Sequence, residues 1–177
     1  MMQTVQAKAA SVRLVVMDVD GVLTDGKVTY TSTGEELKSF TTQDGQALKL
    51  LEKAGIRTAI ITGRQSPMVA RRAKELGIDH VYQGNDKKIV LLKNLLAELN
   101  LSPEEVAYIG DDLPDLAPIK WVGLGIAPAN ARALLKEHAD WVVEKRGGEA
   151  VMVDVVDLLL QAQGVWNDVM AEYLLAE

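Results

Sequence analysis

The passage from Leu14 to Gly26, LVVMDVDGVLTDG, constrains this chain more than any other, because an apolar run there meets two carboxylates and a glycine. Leu14, Val15, Val16 and Met17 show no polar alternation, the signature of a strand buried on both faces, as in a parallel sheet. Such a strand ends where its first charge appears. In open α/β sheets, ligands gather beyond the carboxyl ends of the strands. Asp18 and Asp20 are two residues apart and project to one side of a locally extended chain, and Gly21 permits a sharp turn. The expectation is a pair of carboxylates at the mouth of a sheet, suited to a nucleophile, a proton-transfer group and a hard cation. Taken alone, Asp-x-Asp-Gly is equally an ordinary turn after a strand, so the rest of the chain decides.

Downstream, strand-length apolar runs alternate with segments of helical spacing. In KVTYTSTGEELKSF, Val28, Tyr30, Leu37 and Phe40 flank a Thr-Ser-Thr-Gly turn, which predicts a β-hairpin over 27–40. It falls between the first strand and the first helix, where it can cover the carboxylates as a flap or meet a partner. Ala47, Leu48, Leu51 and Ala54 share a helical face, with Asp44 the expected N-cap and Gly55 the stop. RTAIIT (57–62) is a second buried strand, running into Gly63 and Arg64. Ser66-Pro67 opens a helix to about Leu76, HVYQG is a short strand, and 86–100 is a helix. VAYIG is a strand leading to Gly110-Asp111-Asp112, and 113–120 is a helical turn interrupted by Pro118. WVGLGI and WVVE are strands around a helix over 130–138, and 149–163 is a Val- and Leu-rich helix. Residues 1–11, polar and Ala-rich, are expected to be loose. The tail, 164–177, carries Val165, Trp166, Val169, Met170, Tyr173 and Leu174 at helical spacing, apolar enough to pack on its own chain or a neighbour. The alternation implies one α/β domain over 1–177, a three-layer sandwich around a parallel sheet.

Composition narrows the function. Apolar residues make up 48% of the 177, enough for a sizeable core. A net charge of -6 argues against a nucleic-acid partner and requires any phosphate site to gather local positive charge or a metal. The absence of cysteine excludes disulfides, thiolate zinc sites and cysteine nucleophiles. His80 and His138 are too few for a His-rich zinc site. No signal peptide is expected in the first dozen residues, and no apolar run approaches the ~20 residues of a membrane span. A soluble cytoplasmic protein without a membrane partner is expected.

Four places at strand ends carry groups that a phosphate-handling site needs: Asp18 and Asp20; Thr62 with Gly63 and Arg64; Lys88 after HVYQG; and Asp111 and Asp112, followed by Asp115. Singly, each has an ordinary reading as a cap, a turn or a solvated lysine. Their coincidence along one sheet edge favours a shared site. Phosphate monoesters hydrolyse very slowly without help. Asp18 as nucleophile gives an aspartyl phosphate. Asp20 donates a proton to the leaving alcohol and later takes one from water. Asp18, the Asp20 backbone carbonyl and Asp111 hold an oxygen-ligated Mg²⁺, and Thr62 and Lys88 contact the phosphoryl oxygens. Lys87 competes with Lys88 for the lysine role. A phosphorelay receiver uses similar groups, but it wants a phosphoacceptor after the third strand, and HVYQG brings no Asp.

DVDGVLTDG, ITGR, a lysine opening a helix, and GDDLPD, in this order, resemble the four motifs of the haloacid dehalogenase (HAD) superfamily. The resemblance implies a Rossmann-like HAD fold and the roles just given, with Asp112 supporting the metal. DGVLTDG followed by a hairpin, F-x-x-x-DG and ITGR is similar to the capless branch that includes the 3-deoxy-D-manno-octulosonate 8-phosphate (KDO 8-phosphate) phosphatases. Roughly 18 residues between Gly26 and Asp44 suffice for a hairpin but not for a cap domain. What this resemblance implies is a Mg²⁺-dependent phosphatase (KDO 8-phosphate to KDO and phosphate, in lipopolysaccharide precursor synthesis) assembled as a homotetramer through its hairpins. It also implies that Arg64, and less strongly Arg72, meets the sugar-acid carboxylate. Related branches act on 2-keto-3-deoxy-nononate 9-phosphate, and a non-catalytic HAD scaffold is a further alternative. The segment after Gly147-Gly148 reads Glu149-Ala150 where that family usually has Arg-Gly.

Overall fold

Six parallel strands form the centre of the computed structural model, which describes residues 2–174. They are β1 (Leu14–Met17), β4 (Arg57–Thr62), β5 (His80–Gln83), β6 (Val106–Ile109), β7 (Leu124–Ala127) and β8 (Trp141–Val142), in the spatial order β5-β4-β1-β6-β7-β8. Between β1 and β4 in the chain, β2 (Thr29–Tyr30) and β3 (Glu36–Leu37) pair antiparallel as a separate hairpin. The chain leaves β1 in one direction through β4 to β5, then returns to β6 on the other side. The switch point between β1 and β6 is therefore where a doubly wound sheet binds ligands.

Register brings the motifs together. Met17 lies opposite Ile60 of β4 and Ile109 of β6, and the Asp18 N–H donates to Ile109 O at 2.9 Å. The residues just past these levels are Asp18, Thr62 and Gly110-Asp111, so three motifs far apart in sequence emerge at one height.

Alternate residues of each strand feed two cores. Val15, Met17, Ile60, Ile109 and Ile126 pack with α1 (Met2–Ala9), α2 (Thr42–Lys53), α3 (Pro67–Glu75) and α7 (Val151–Ala162). Leu14, Val16, Ala59, Ile61 and Tyr108 pack with α4 (Lys88–Leu99), α5 (Leu116–Trp121) and α6 (Ala133–His138). The result is the expected three-layer sandwich. α8 (Trp166–Leu174), with Val165 just before it, lays Trp166, Val169 and Met170 on the first core, and Gln46 Nε2 donates to Tyr173 OH at 2.7 Å. Residues 164–174 of the tail thus pack on their own chain, while 175–177 lie outside the described residues.

Several local expectations are corrected. The N-terminus is not loose: Val5 and Ala9 of α1, with Val12 beyond it, are buried, a sparse stripe among polar neighbours that still suffices to dock a helix. Pro118 does not interrupt α5 but sits in its first turn, where a missing N–H costs nothing. The strand expected over 121–126 begins only at Leu124, because Trp121 ends α5 and the Gly123 N–H is held by Pro103 O at 2.7 Å.

Asp44 is not the N-cap of α2. Thr41 takes that position, its hydroxyl accepting from Asp44 N. Asp44, buried, accepts the Thr41 hydroxyl at 2.6 Å and the Met152 N–H of α7 at 2.8 Å, so it caps a helix 108 residues away in sequence. α7 needs this, because it starts from Ala150 in the left-handed region (φ 65°), which offers no side-chain cap. Asp44→Ala is expected to cost about 2 kcal/mol in urea-denaturation stability, through the orphaned Met152 N–H. Asp44→Asn, which keeps an acceptor, should cost less than half of that.

Candidate active site

The site is built on the loop after β1. Gly21 has φ 86°, and a Cβ there would lie 2.0 Å from Asp111 Oδ2, so only glycine lets the β1 loop and the β6 loop approach this closely. From behind, Gly147 presses on the same loop, where a Cβ would lie 1.9 Å from Gly21 O. Asn130 fastens the two by donating to Gly21 O at 2.9 Å and accepting from Gly147 N at 2.5 Å.

In front of Gly21 opens a cleft of about 380 Å³. It is lined by Asp18, Asp20, Thr62, Gly63, Arg64, Lys88, Asp111 and Asp112, joined by Gly26, Asp86, Pro114 and Asp115. All the expected residues except Arg72 therefore reach one cavity. Lys88 Nζ lies 2.7 Å from Asp18 Oδ2 and 2.7 Å from Asp115 Oδ1. Lys88 is buried and lines the cleft, whereas Lys87 is exposed and its backbone N–H donates to Asn85 Oδ1. Asp18 also accepts the Val19 N–H at 2.7 Å. Thr62 is buried at the end of β4. Gly63 lies close against the exposed Asp86 side chain, whose Oδ1 would have to swing aside for a Cβ at that position.

Asp115 received no role from the motifs, yet it is the fully buried hub of the site. Its Oδ1 accepts the Tyr108 hydroxyl at 2.7 Å as well as Lys88, and its Oδ2 accepts the N–H groups of Asp111 and Asp112 at 3.3 Å each. A tyrosine within an otherwise apolar buried strand was the available signal, since a buried hydroxyl needs a partner. Asp112 lines the cleft, but its carboxylate accepts from Leu113 N at 2.7 Å and pairs with Arg132 at 3.2 Å. Arg72 lies in a neighbouring cavity of about 300 Å³ with Lys38, Phe40, Thr42, Met68, Arg71 and Glu75, and donates to Thr41 O at 3.1 Å.

Carboxylate oxygens of Asp18, Asp111 and Asp115 lie within 4.8 Å of one another. Burial, then the Asp115 charge, pushes the Asp18 carboxyl up to about 6 against the opposing pull of Lys88. Burial, then the charges of Asp18, Asp115 and Asp112, pushes Asp111 up to about 7. Burial alone would lower Lys88, but Asp115 and Asp18 hold it above its ordinary value. Crowded carboxylates with one lysine among them lack positive charge, and an all-oxygen donor set suits a hard divalent cation such as Mg²⁺. Asp18, Asp111 and Asp115 each offer a carboxylate oxygen to such a cation, the Asp115 oxygens being those most engaged by the protein itself.

Residues 80–153 match the family model of haloacid dehalogenase-like hydrolases. The chain is 46% identical over 160 residues to the 3-deoxy-D-manno-octulosonate 8-phosphate phosphatase of Escherichia coli (strain B / BL21-DE3), covering 90% of this chain and 85% of that one. The chain belongs to the KDO 8-phosphate phosphatase family. A KDO 8-phosphate phosphatase from Moraxella catarrhalis, solved in complex with magnesium, phosphate and KDO, superposes with a TM-score of 0.96 at 43% identity, covering 98% of this chain and 99% of that one. A probable YrbI family phosphatase from Pseudomonas syringae pv. phaseolica gives 0.95 at 48%, covering 97% and 98%. Membership in this phosphatase family agrees with the four converging motifs and the capless sandwich.

Mg²⁺ binding should raise the melting temperature, because it relieves repulsion present only in the folded cluster. At about 100 times Kd the gain is about 2.7 kcal/mol, or roughly 5 °C or more for a chain of this size. Asp111→Asn should melt higher than wild type in EDTA and lose most of the Mg²⁺-induced shift. Equal shifts in both proteins by scanning calorimetry would remove Asp111 from the metal site.

Proposed function

We propose that this chain is a Mg²⁺-dependent phosphomonoesterase that converts KDO 8-phosphate to KDO and phosphate through a phospho-Asp18 intermediate. The observation that carries the reading is the Asp18–Lys88 contact of 2.7 Å at the β1/β6 switch point, with Asp20, Thr62 and Asp111 lining the same cleft. An Asp18 oxygen attacks phosphorus while the bond to the sugar oxygen breaks, and Asp20 delivers a proton to that departing oxygen. Water then attacks phosphorus, Asp20 takes its proton, and the bond to Asp18 breaks to release phosphate. Lys88, held on Asp115, and the Thr62 hydroxyl balance charge on the phosphoryl oxygens. Asp18, the Asp20 backbone carbonyl and Asp111 would hold Mg²⁺, which supplies electrostatic relief between an anionic nucleophile and an anionic ester. Arg64 stands at the cleft for the sugar-acid carboxylate, which would compete with its present partner Glu36 at 2.9 Å. Arg72, the weaker candidate for that carboxylate, lies one cavity away with its guanidinium on Thr41 O.

Asp18→Asn should lower phosphate release by several orders of magnitude while leaving the circular dichroism spectrum unchanged. Wild type should prefer KDO 8-phosphate within a panel of sugar phosphates and lose that activity in EDTA. Preference for a nononate 9-phosphate would keep the mechanism and move the substrate. No release from any ester would move the chain to the scaffold reading.

A homotetramer and a cytoplasmic location belong to the same proposal. The hairpin leaves Val28, Tyr30 and Leu37 exposed, three apolar side chains on one short ribbon, as an interface would require. Sedimentation velocity should give four chains, and Tyr30→Asp with Leu37→Asp should shift the species to smaller assemblies. An unchanged sedimentation coefficient would remove the hairpin from the interface.

A further inference from the structure

The hairpin's closest engagement with its own chain is electrostatic. Lys38, one residue past β3, has a side chain only 1% exposed, although most residues around it face solvent. Its Nζ contacts Asp20 Oδ1 directly and lies 3.5 Å from Glu36. Glu36 in turn holds Arg64 at 2.9 Å, and Arg64 Nε lies 3.5 Å from Asp20 Oδ2. The two Asp20 oxygens are thus unequal. Oδ1 is taken by Lys38, with the Thr24 hydroxyl at 3.5 Å, whereas Oδ2 is on the side of Arg64, a wall residue of the cleft. A buried ammonium is retained only where it is paired, so a lysine carried to this position on an otherwise open ribbon has a positional task.

We infer that Lys38 is a positioning residue for proton transfer: by clamping Asp20 Oδ1 from the hairpin, it presents Oδ2 to the oxygen of the departing alcohol. The inference rests on the proposed acid role of Asp20. It adds to the hairpin a function within its own chain, in which Glu36 completes the clamp and keeps Arg64 and Lys38 in one network.

The physical consequence is selective. A poorly aligned acid slows esters whose leaving group needs a proton and spares those whose leaving group departs as a stable anion. The value of kcat/KM reports steps up to alcohol departure, so it isolates this half of the reaction. Full-length wild type, Lys38→Met and Asp20→Asn should be compared on KDO 8-phosphate and on 4-nitrophenyl phosphate. Lys38→Met should lose about 10- to 100-fold in kcat/KM on the alkyl ester and less than about threefold on the aryl ester, with Asp20→Asn showing the same asymmetry more strongly. Independently, ethylammonium should restore part of the KDO 8-phosphate turnover to Lys38→Ala in a saturable way, and none to Asp20→Asn. A loss shared equally by both esters, or a rise in KM with kcat kept, would overturn the inference and make Lys38 a structural or substrate-holding residue. If Asp20→Asn itself lacks the asymmetry, the acid assignment of Asp20 falls and the clamp falls with it. Asymmetry in Asp20→Asn without it in Lys38→Met would remove Lys38 alone.

Discussion

The Lys88 ammonium, buried between Asp18 and Asp115, is the interaction on which the rest of the structure depends. A lysine with a side chain 3% exposed must be paired on more than one side. Asp18 comes from the end of β1 and Asp115 from the turn after β6, so the lysine at the start of α4 ties three elements together at the carboxyl edge of the sheet. Asp115 can serve because Tyr108 and two backbone N–H groups already hold it. Removing Lys88 would leave two buried carboxylates without their cation, and removing either acid would leave the ammonium half-paired, so the three are built as one unit.

That unit needs close backbone approach around it. Gly21 against Asp111 and Gly147 against Gly21 are places where a single methyl group would collide with the neighbouring loop, in a set of three loops after β1, β6 and β8. The parallel register of β1 with β4 and β6 brings the loops after these strands to one level at the cleft. Packing therefore limits where the acids sit, and the lysine limits which way they point.

Much of this was legible in the sequence because its cause is local. An unbroken apolar run predicts a doubly covered strand, and the first charge after it marks the edge; β1 followed that rule. The layer architecture followed from alternation alone. What stayed hidden depends on approach through space. Nothing local tells that Asp44 leaves its own helix to cap α7, or that Lys38 reaches Asp20 across the fold of the hairpin. Asp112 and Asp115 are both acids after β6, and only the turn Leu113–Asp115 decides that the second points inward while the first turns to its own backbone and Arg132. The N-terminal helix was missed because its apolar stripe is thin. The delayed start of β7 was missed because Pro103 O captures an N–H that a strand would have used.

Charge explains why a metal belongs to this design. Six aspartates line the cleft (Asp18, Asp20, Asp86, Asp111, Asp112 and Asp115) against only Lys88 and Arg64, in a chain that is itself at -6. The cations are not free to neutralise a newcomer, because Lys88 is shared by two acids and Arg64 is held by Glu36. A phosphate ester approaching such a cleft meets a net negative field, strengthened where burial lowers the local dielectric. On the proposed mechanism, a divalent cation held by Asp18 and Asp111 would offset that field where the ester arrives, and Lys88, already fixed in direction between two acids, would stabilise charge without having to reorganise. The surplus of acid is thus what a divalent cation would offset, which is why the proposed reaction is a metal-dependent one.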